Sequence, residues 1–415
     1  MSAAGQASSS LRRWVLGAAA LGIALRLAFA LLYWVDQPLT RDEREYLSLA
    51  RSLRAGHGYV FDAHLLESGM QPFGRAPGYP VFLALVGGGS AVTTSVPSSV
   101  KVAQAIAGGV GILLIAALAR ELAGDRAARL AAGLAAVYPP LVWIAAYAFS
   151  EALFWPIGLL SAWLLGAAAR HRPRRAMTGL AAGVVAGAAL LVRPMVVLFL
   201  PLTAAWLIWR REWRLAVLFA AGTALVTVPW AVRTSLSHAR FVPVASEGGV
   251  TFWTGNNALA RGEGDLAANP GIKREQERLR LAHPALTEEQ MEPVYYREAF
   301  QWMRNHPIDW LVLEMRKAFY LIVPAGPSYM LHSRLYLLGS ILSYALIFGM
   351  ALAAVWLRAP DFRQTPGLWL LGAASVLICL VFFPQERFRI PIVDPVLIVC
   401  AGALAGTARR GKAHS

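Results

Sequence analysis

The chain has 415 residues, of which 57% are hydrophobic and 15% charged, with a formal net charge of +15. An ordinary soluble domain carries about a quarter charged residues, so this composition excludes a single water-soluble core and makes the bilayer the solvent. The basic excess is spread over short loops between apolar runs, which reads as an orientation signal and not as a nucleic-acid surface, and Cys379 and Cys400, both in apolar runs, offer neither a disulfide framework nor a zinc site.

In chain order, Arg12 and Arg13 precede a first apolar run without a small-residue cleavage site, so it is expected to be a retained span at 14–34. Further spans are predicted at 100–119, 130–148, 150–169, 176–192, 195–209, 214–232, 335–357, 366–383 and 390–408. The fold class is therefore an all-α polytopic membrane protein with about ten transmembrane helices. With the N-terminus inside, the clusters Arg12-Arg13, 120–129, 170–175, 210–214, 358–363 and 409–412 all fall on the cytoplasmic face. Two longer polar segments, 36–98 and 233–334, then fall on the opposite face. This divides the chain into an N-terminal transmembrane module at 1–232, an extracytoplasmic segment at 233–334 and C-terminal helices at 335–415. In the second segment Thr287 to Gln290 form a capping-box pattern ahead of a helix carrying Met291, Val294, Tyr295, Trp302 and Met303. Asn305-His306-Pro307 ends it, and a second amphipathic helix with Leu311, Val312, Met315 and Phe319 on its apolar face is expected to lie at the interface, with Arg316 and Lys317 off that face. The short apolar run 78–85 cannot cross. Gly179, Gly183 and Gly187 repeat at a spacing suited to close helix packing within the bundle. Neither a Walker A motif nor a dinucleotide fingerprint occurs, and internal repeats are not evident.

The adjacent acids Asp42 and Glu43 sit just beyond the first span, where they could accept a proton or simply face the positive end of a helix. Arg75, before Pro77-Gly78-Tyr79-Pro80, could grip a phosphate with its guanidinium fork or snorkel at an interface. Arg193 and the pair Arg387 and Arg389 lie at span ends on the same side, whereas Arg26 lies deeper, with Glu151 as one partner within its reach. The histidines at 57, 64, 238, 283, 306 and 332 have no ligand spacing, so a histidine metal centre is not expected.

The ordered set Asp42-Glu43-x-x-Tyr46, Arg75-x-Pro77-Gly78-Tyr79-Pro80, Ser150-Glu151-Ala152-Leu153-Phe154, Arg193-Pro194, Gly255-Asn256-Asn257, Asn305-x-Pro307 and Arg387-Phe388-Arg389-Ile390-Pro391 resembles the glycosyltransferase 39 superfamily over nearly the whole chain. That group holds protein O-mannosyltransferase-like and aminoarabinose-transferase-like enzymes of the GT-C fold. The resemblance implies a bacterial inner-membrane enzyme moving a sugar from a polyprenyl-phosphate donor to an extracytoplasmic lipid, glycan or protein acceptor, with inversion; a transporter or flippase of lipid-linked sugars is the alternative. It implies Asp42 as general base with Glu43 as its partner, and Arg75, with Arg193, Arg387 and Arg389, at the donor phosphate. Tyr46, Tyr79, Glu151, Asn256 and Asn257 are the implied substrate contacts. No cofactor is required by this reading, although one divalent cation on Asp42 or Glu43 stays open. The aminoarabinose branch favours an arginine just before the tyrosine; Glu45 stands there, which speaks against that sugar.

Overall fold

A computed structural model describes residues 3–66, 74–90, 93–170, 174–238, 241–264, 269–287, 290–324 and 333–406. Among them the secondary structure is helical throughout. Helix α1 (Ala3–Ala28) widens into a π turn over Phe29–Tyr33, leaving carbonyls at its end that Lys101 Nζ takes up at Ala30 (3.0 Å) and Trp34 (2.7 Å). Two non-spanning helices follow, α2 (Arg41–Arg54) and α3 (Gly78–Leu85). Helix α4 (Ser98–Ala123) turns at Gly124 into α5 (Asp125–Val137), and Pro139 starts α6 (Pro139–Trp143) at a bend of 59°. Proline has no amide to continue the ladder, so the expected span at 130–148 is a broken one.

Helices α7 (Ser150–Arg170) and α8 (Arg175–Val192) form a hairpin, followed by α9 (Phe199–Trp209) and α10 (Trp213–His238). The glycine row of α8 meets α10 at backbone distance: a methyl on Gly183 would stand 2.0 Å from the Phe219 carbonyl oxygen, and one on Gly222 would stand 2.3 Å from that of Leu180. The repeat is thus spent inside the bundle. Over the end of the bundle lie α11 (Gly248–Gly255), α12 (Pro270–Leu281), α13 (Glu292–Asn305) and α14 (Pro307–Ile322). The first three share a small core of Val250, Phe252, Trp253, Ile272, Met291, Val294, Tyr295 and Ala299. Thr287 and Gln290 exchange the two capping-box hydrogen bonds; residues 288–289 between them lie outside the described set. The chain closes with α15 (Arg334–Arg358), α16 (Pro366–Val381), the short α17 (Glu386–Arg389) and α18 (Val393–Gly402).

Six described helices are long and apolar enough to cross a membrane, or seven with the bent pair counted as one span. The protein is therefore multi-pass. The runs expected at 195–209, 366–383 and 390–408 form shorter apolar helices; the 16 residues of α16 rise only about 24 Å against roughly 30 Å of hydrocarbon, so length alone does not count them as crossings.

Helix α14 has the apolar row expected of it, and its other face adds a buried cation. Leu311, Val312, Met315 and Phe319 face outward, while Lys317 is fully buried and donates to Glu314 (2.7 Å), Asn256 (2.9 Å) and the Leu380 carbonyl (2.9 Å). The helix packs inward through the lysine's satisfied hydrogen bonds and leaves its apolar row for lipid.

The described basic loops gather at one end of the bundle, where Arg170 pairs with Glu121 (2.6 Å) and also reaches the Gln364 carbonyl, and Arg175 pairs with Glu212 (2.7 Å). Residues 171–173 and 407–415, which hold the rest of the expected basic clusters, lie outside the described set, as does His332. The opposite end carries α2, α3, α11, α17 and the N-terminus of α7.

Candidate active site

The site is built from helix ends. Thr40 caps α2 in a full capping box: its hydroxyl accepts from the Glu43 amide, and Glu43 Oε2 accepts from the Thr40 amide at 2.8 Å. The second Glu43 oxygen accepts from the Ala148 amide at 2.9 Å, pinning α2 to the turn before α7. Burial pushes the Glu43 carboxyl up, and these backbone amides pull against that shift. Glu43, expected beside Asp42 in the chemistry, thus holds two backbone amides and makes no ion pair with the site's arginines.

The capped helix presents Asp42 and Glu45 to two arginines. Arg75 Nη2 donates to Asp42 Oδ1 at 2.7 Å, and Arg387 Nη1 donates to Asp42 Oδ2 at 2.7 Å. Arg75 also donates through Nε to Glu45 Oε2 (2.7 Å) and through Nη1 to Glu247 Oε2 (2.7 Å), so its whole fork is taken by Asp42, Glu45 and Glu247. Arg387 reaches on to the fully buried Glu151 at the start of α7, which Arg193 Nη1 meets at 3.2 Å. Ser150 joins them by accepting from Arg193 (3.0 Å) and from the Tyr46 hydroxyl (3.4 Å). Aromatic faces line the cations, with the guanidinium carbon 5.2 Å from the Tyr46 ring centre for Arg75, 3.9 Å from Phe149 for Arg387 and 4.9 Å from Phe388 for Arg193.

The loops are held as firmly as the helices. Gly74 and Ser246 exchange two hydrogen bonds of 2.9 Å, and the Tyr59 hydroxyl donates to the Arg75 carbonyl at 2.9 Å. Glu247 precedes α11, whose start lies so close to α13 that a methyl on Gly249 would come within 2.4 Å of the Glu292 carbonyl oxygen.

Electrostatics follow from this wiring. Burial alone would raise the Asp42 carboxyl, but the Arg75 and Arg387 guanidiniums beside it hold it well below the usual carboxylate range. Burial likewise opposes the charge on Arg75 and Arg387, and their carboxylate partners overcome it and drive both further up. Glu247 goes the other way: burial raises it, and Asp42 and Glu45 add to that against the pull of Arg75.

The structure thus brings together Asp42, Tyr46, Arg75, Glu151, Arg193 and Arg387 from the sequence expectation. It places Tyr79 behind them, fully buried, donating to Gln104 at 2.7 Å and packed edge-on to Tyr46. Arg389 lies on the other side of α17, paired with Asp394 at 2.9 Å and stacked on Tyr344, outside the Asp42 cluster. Asn256 donates to the Phe252 and Val381 carbonyls (2.9 Å each) and accepts from Lys317, while Asn257 donates to the Trp253 carbonyl (2.7 Å) and accepts from the Leu259 amide. Both asparagines close the end of α11 and stand outside the cluster. Arg26 is buried beside Gly22, whose carbonyl accepts its Nη1 at 2.8 Å; Glu151, weighed as its partner, is committed to Arg387 and Arg193. Sequence reasoning missed Glu45 and Glu247 as site residues. The one signal for Glu247 was its isolation, since no other Asp or Glu occurs between Glu212 and Glu263.

Both Asp42 oxygens accept from guanidiniums, both Glu43 oxygens accept from backbone amides, and no group of three or more His, Cys, Asp or Glu among the described residues is placed to hold a metal ion.

Residues 75–232 match the family described as dolichyl-phosphate-mannose-protein mannosyltransferase. The fold is similar to that of the archaeal oligosaccharyltransferase AglB from Archaeoglobus fulgidus in complex with an inhibitory peptide and a dolichol-phosphate, at 14% identity and a TM-score of 0.51 over 95% of this chain and 50% of that one. The same oligosaccharyltransferase in complex with Zn and sulfate matches at 16% identity and a TM-score of 0.52, covering 94% of this chain and 48% of that one. ArnT from Cupriavidus metallidurans bound to undecaprenyl phosphate is 15% identical with a TM-score of 0.46, covering 94% and 77%. This chain spans about half the length of the oligosaccharyltransferases it matches. No curated protein matches it in sequence. The chain thus shares its fold with these membrane enzymes over nearly all its length and resembles the mannosyltransferase family in sequence across 75–232.

Proposed function

We propose that this protein transfers a sugar from a polyprenyl-phosphate donor to a hydroxyl-bearing acceptor at the extracytoplasmic face of a bacterial inner membrane. The observation that carries the reading is Asp42 held between Arg75 and Arg387, at the end of the bundle opposite the basic loops. Opposite ends are what the positive-inside rule requires of an outward-facing site. The dolichol-phosphate in the AglB complex supports a lipid phosphate as the donor's leaving group.

In this reading the acceptor oxygen attacks the anomeric carbon and gives its proton to Asp42, while the bond from that carbon to the phosphate oxygen breaks. The departing phosphate takes the electron pair and needs cations more than a proton, which Arg75, Arg387 and Arg193 would supply. A single displacement inverts the anomeric centre. Asp42 between two arginines is a weak base, because its ionised form is over-stabilised. A phosphate that draws the two guanidiniums to itself weakens their hold and raises the basicity of Asp42, so the base is armed only when donor is bound. Tyr46 and Glu151 act by holding Arg75, Arg193 and Arg387 in place.

The test is turnover of a sugar-labelled polyprenyl phosphate by the purified protein in nanodiscs. Donor cleavage with transfer to acceptor, lost in Asp42→Asn, supports the reading. Movement of intact donor across the bilayer without cleavage would assign the protein to lipid transport instead.

A further inference from the structure

We propose that Glu247 is a resident counter-anion occupying the seat of the donor phosphate on Arg75, so that donor binding displaces this carboxylate and proceeds with uptake of its proton. The proposal rests on the polyprenyl-phosphate reading above and names the position of that phosphate. Arg75 is 8% exposed and its fork is divided among three carboxylates, so no anion can bind it without displacing one of them. The three are not equally held. The Glu45 side chain is fully buried and also gripped by Arg41 at 3.1 Å, and Asp42 is bridged to Arg387 at 2.7 Å. Glu247 has Arg75 as its ion-pair partner, at 2.7 Å, and its side chain is 28% exposed. It is the cheapest carboxylate to remove and the one whose departure opens Arg75 to the outside. It also sits on a loop that two hydrogen bonds between Gly74 and Ser246 tie to the arginine's own backbone, so the arginine stays in place when the carboxylate leaves.

Protonation decides how easily it leaves. The groups that bear on Glu247 are Arg75 and Arg193, which favour its charge, and Asp42 and Glu45, which oppose it; Tyr46 and Tyr59 stand nearby and are themselves pushed up by burial. Burial outweighs the cations, so the carboxyl takes up a proton above the usual glutamate range. A neutral carboxyl gives up a charge-assisted hydrogen bond and surrenders the Nη1 edge of Arg75 to the donor's anionic phosphate.

The experiment measures binding of a sugar-free C55 polyprenyl phosphate, with the corresponding alcohol as control, to the full chain in nanodiscs at several pH values. Glu247→Gln removes the competing charge and should bind about ten- to a hundredfold more tightly above neutral pH, the range expected for one charge-assisted contact. Wild-type affinity should rise on acidification, and the difference between wild type and variant should vanish at low pH; the phosphate's own titration is common to both and cancels. Calorimetry in two buffers of different ionisation enthalpy should register more proton uptake on binding by wild type than by Glu247→Gln, the phosphate's own proton exchange being common to both. Equal or weaker binding by a folded Glu247→Gln, or proton uptake no greater in wild type than in the variant, overturns the proposal. Tighter binding by Glu247→Gln with no sugar transfer by wild type would sink the glycosyltransferase reading and leave Glu247 standing, whereas Asp42-dependent transfer by wild type with unchanged affinity in Glu247→Gln would do the reverse.

Discussion

Asp42→Asn separates a chemical role from a structural one, because the pairs around Asp42 allow the two to be estimated independently. The amide keeps the shape and one acceptor oxygen, so it can hold Arg75 or Arg387 but not both as charged partners. Arg75 retains Glu45 and Glu247, and Arg387 retains Glu151. The Asp42 side chain is 26% exposed and bridges two largely buried guanidiniums, so the stability lost is that of a charge-assisted contact, about 1.5–3 kcal/mol. A missing general base costs roughly 10²- to 10⁴-fold in rate, or about 3–5 kcal/mol of transition-state stabilisation. The loss should fall on kcat alone, since two less strongly paired arginines bind a lipid phosphate at least as well. The assay is single-turnover transfer in nanodiscs beside donor affinity and thermal unfolding. Turnover within about tenfold of wild type in a folded Asp42→Asn, or a rate loss matched by unfolding, would refute Asp42 as the base. The pH dependence of stability supplies an internal check. The folded Asp42 carboxyl is depressed, so the stability it contributes is present above its ordinary value of about 4 and is lost as pH falls below it. The stability gap between wild type and Asp42→Asn should be constant from pH 5 to 8 and close only in acid.

Arg75→Lys should keep part of the donor affinity, because an ammonium retains charge without the planar fork, whereas Arg75→Ala should weaken lipid-phosphate binding about ten- to a hundredfold; unchanged affinity in the alanine variant would make Arg75 an anchor for α2 and no more. Single cysteines at Ala258 and Arg174 should be labelled by an impermeant thiol reagent from opposite sides of the membrane, against a quiet background because Cys379 and Cys400 are buried, and labelling from the same side would undo the orientation. Gly183→Leu should unfold the α8–α10 pair, since even a methyl there stands 2.0 Å from the Phe219 carbonyl, and a thermal midpoint equal to wild type would show that the two helices can part at no cost.

What could be read from the sequence follows the range of the physics involved. Span positions rest on the hydropathy of contiguous windows, and the glycine row of α8 and the stop at Asn305-His306-Pro307 rest on local sterics, so each is visible in a few consecutive residues. The break at Pro139 is also a local effect, but the apolar run around it reads as one continuous span. Pair choice is different. Whether a carboxylate one helical step from Asp42 faces an arginine or a backbone amide depends on where Ala148 lies, more than a hundred residues away, and this is why Glu43 rather than Glu45 drew attention. The same holds for Lys317, which the helical wheel places off the apolar row but whose partners, the Leu380 carbonyl and Asn256, come from distant parts of the chain. Arg387 and Arg389, two residues apart on the single turn of α17, point to different buried acids, and nothing in the tripeptide Arg387-Phe388-Arg389 distinguishes them.

The parts of the site come from both sides of the stretch that matches the mannosyltransferase family. Arg75, Glu151 and Arg193 lie inside residues 75–232, while Asp42 and Glu45 precede it and Glu247 and Arg387 follow it. Within that stretch the structure supplies Arg75 from the loop before α3 and Arg193 at the end of α8, with Glu151 of α7 held between Arg193 and Arg387. The carboxylates that compete for those cations arrive on α2 and on the loop before α11. A cationic frame suits any lipid phosphate, because phosphate is common to all such donors. The acids that tune the frame, and the loop that carries Glu247, are where donors of different charge and size would be told apart. Replacing Glu45 or Glu247 with glutamine should therefore shift preference among donors that share one lipid phosphate, while substitutions at Arg193 or Arg387 should weaken all of them alike.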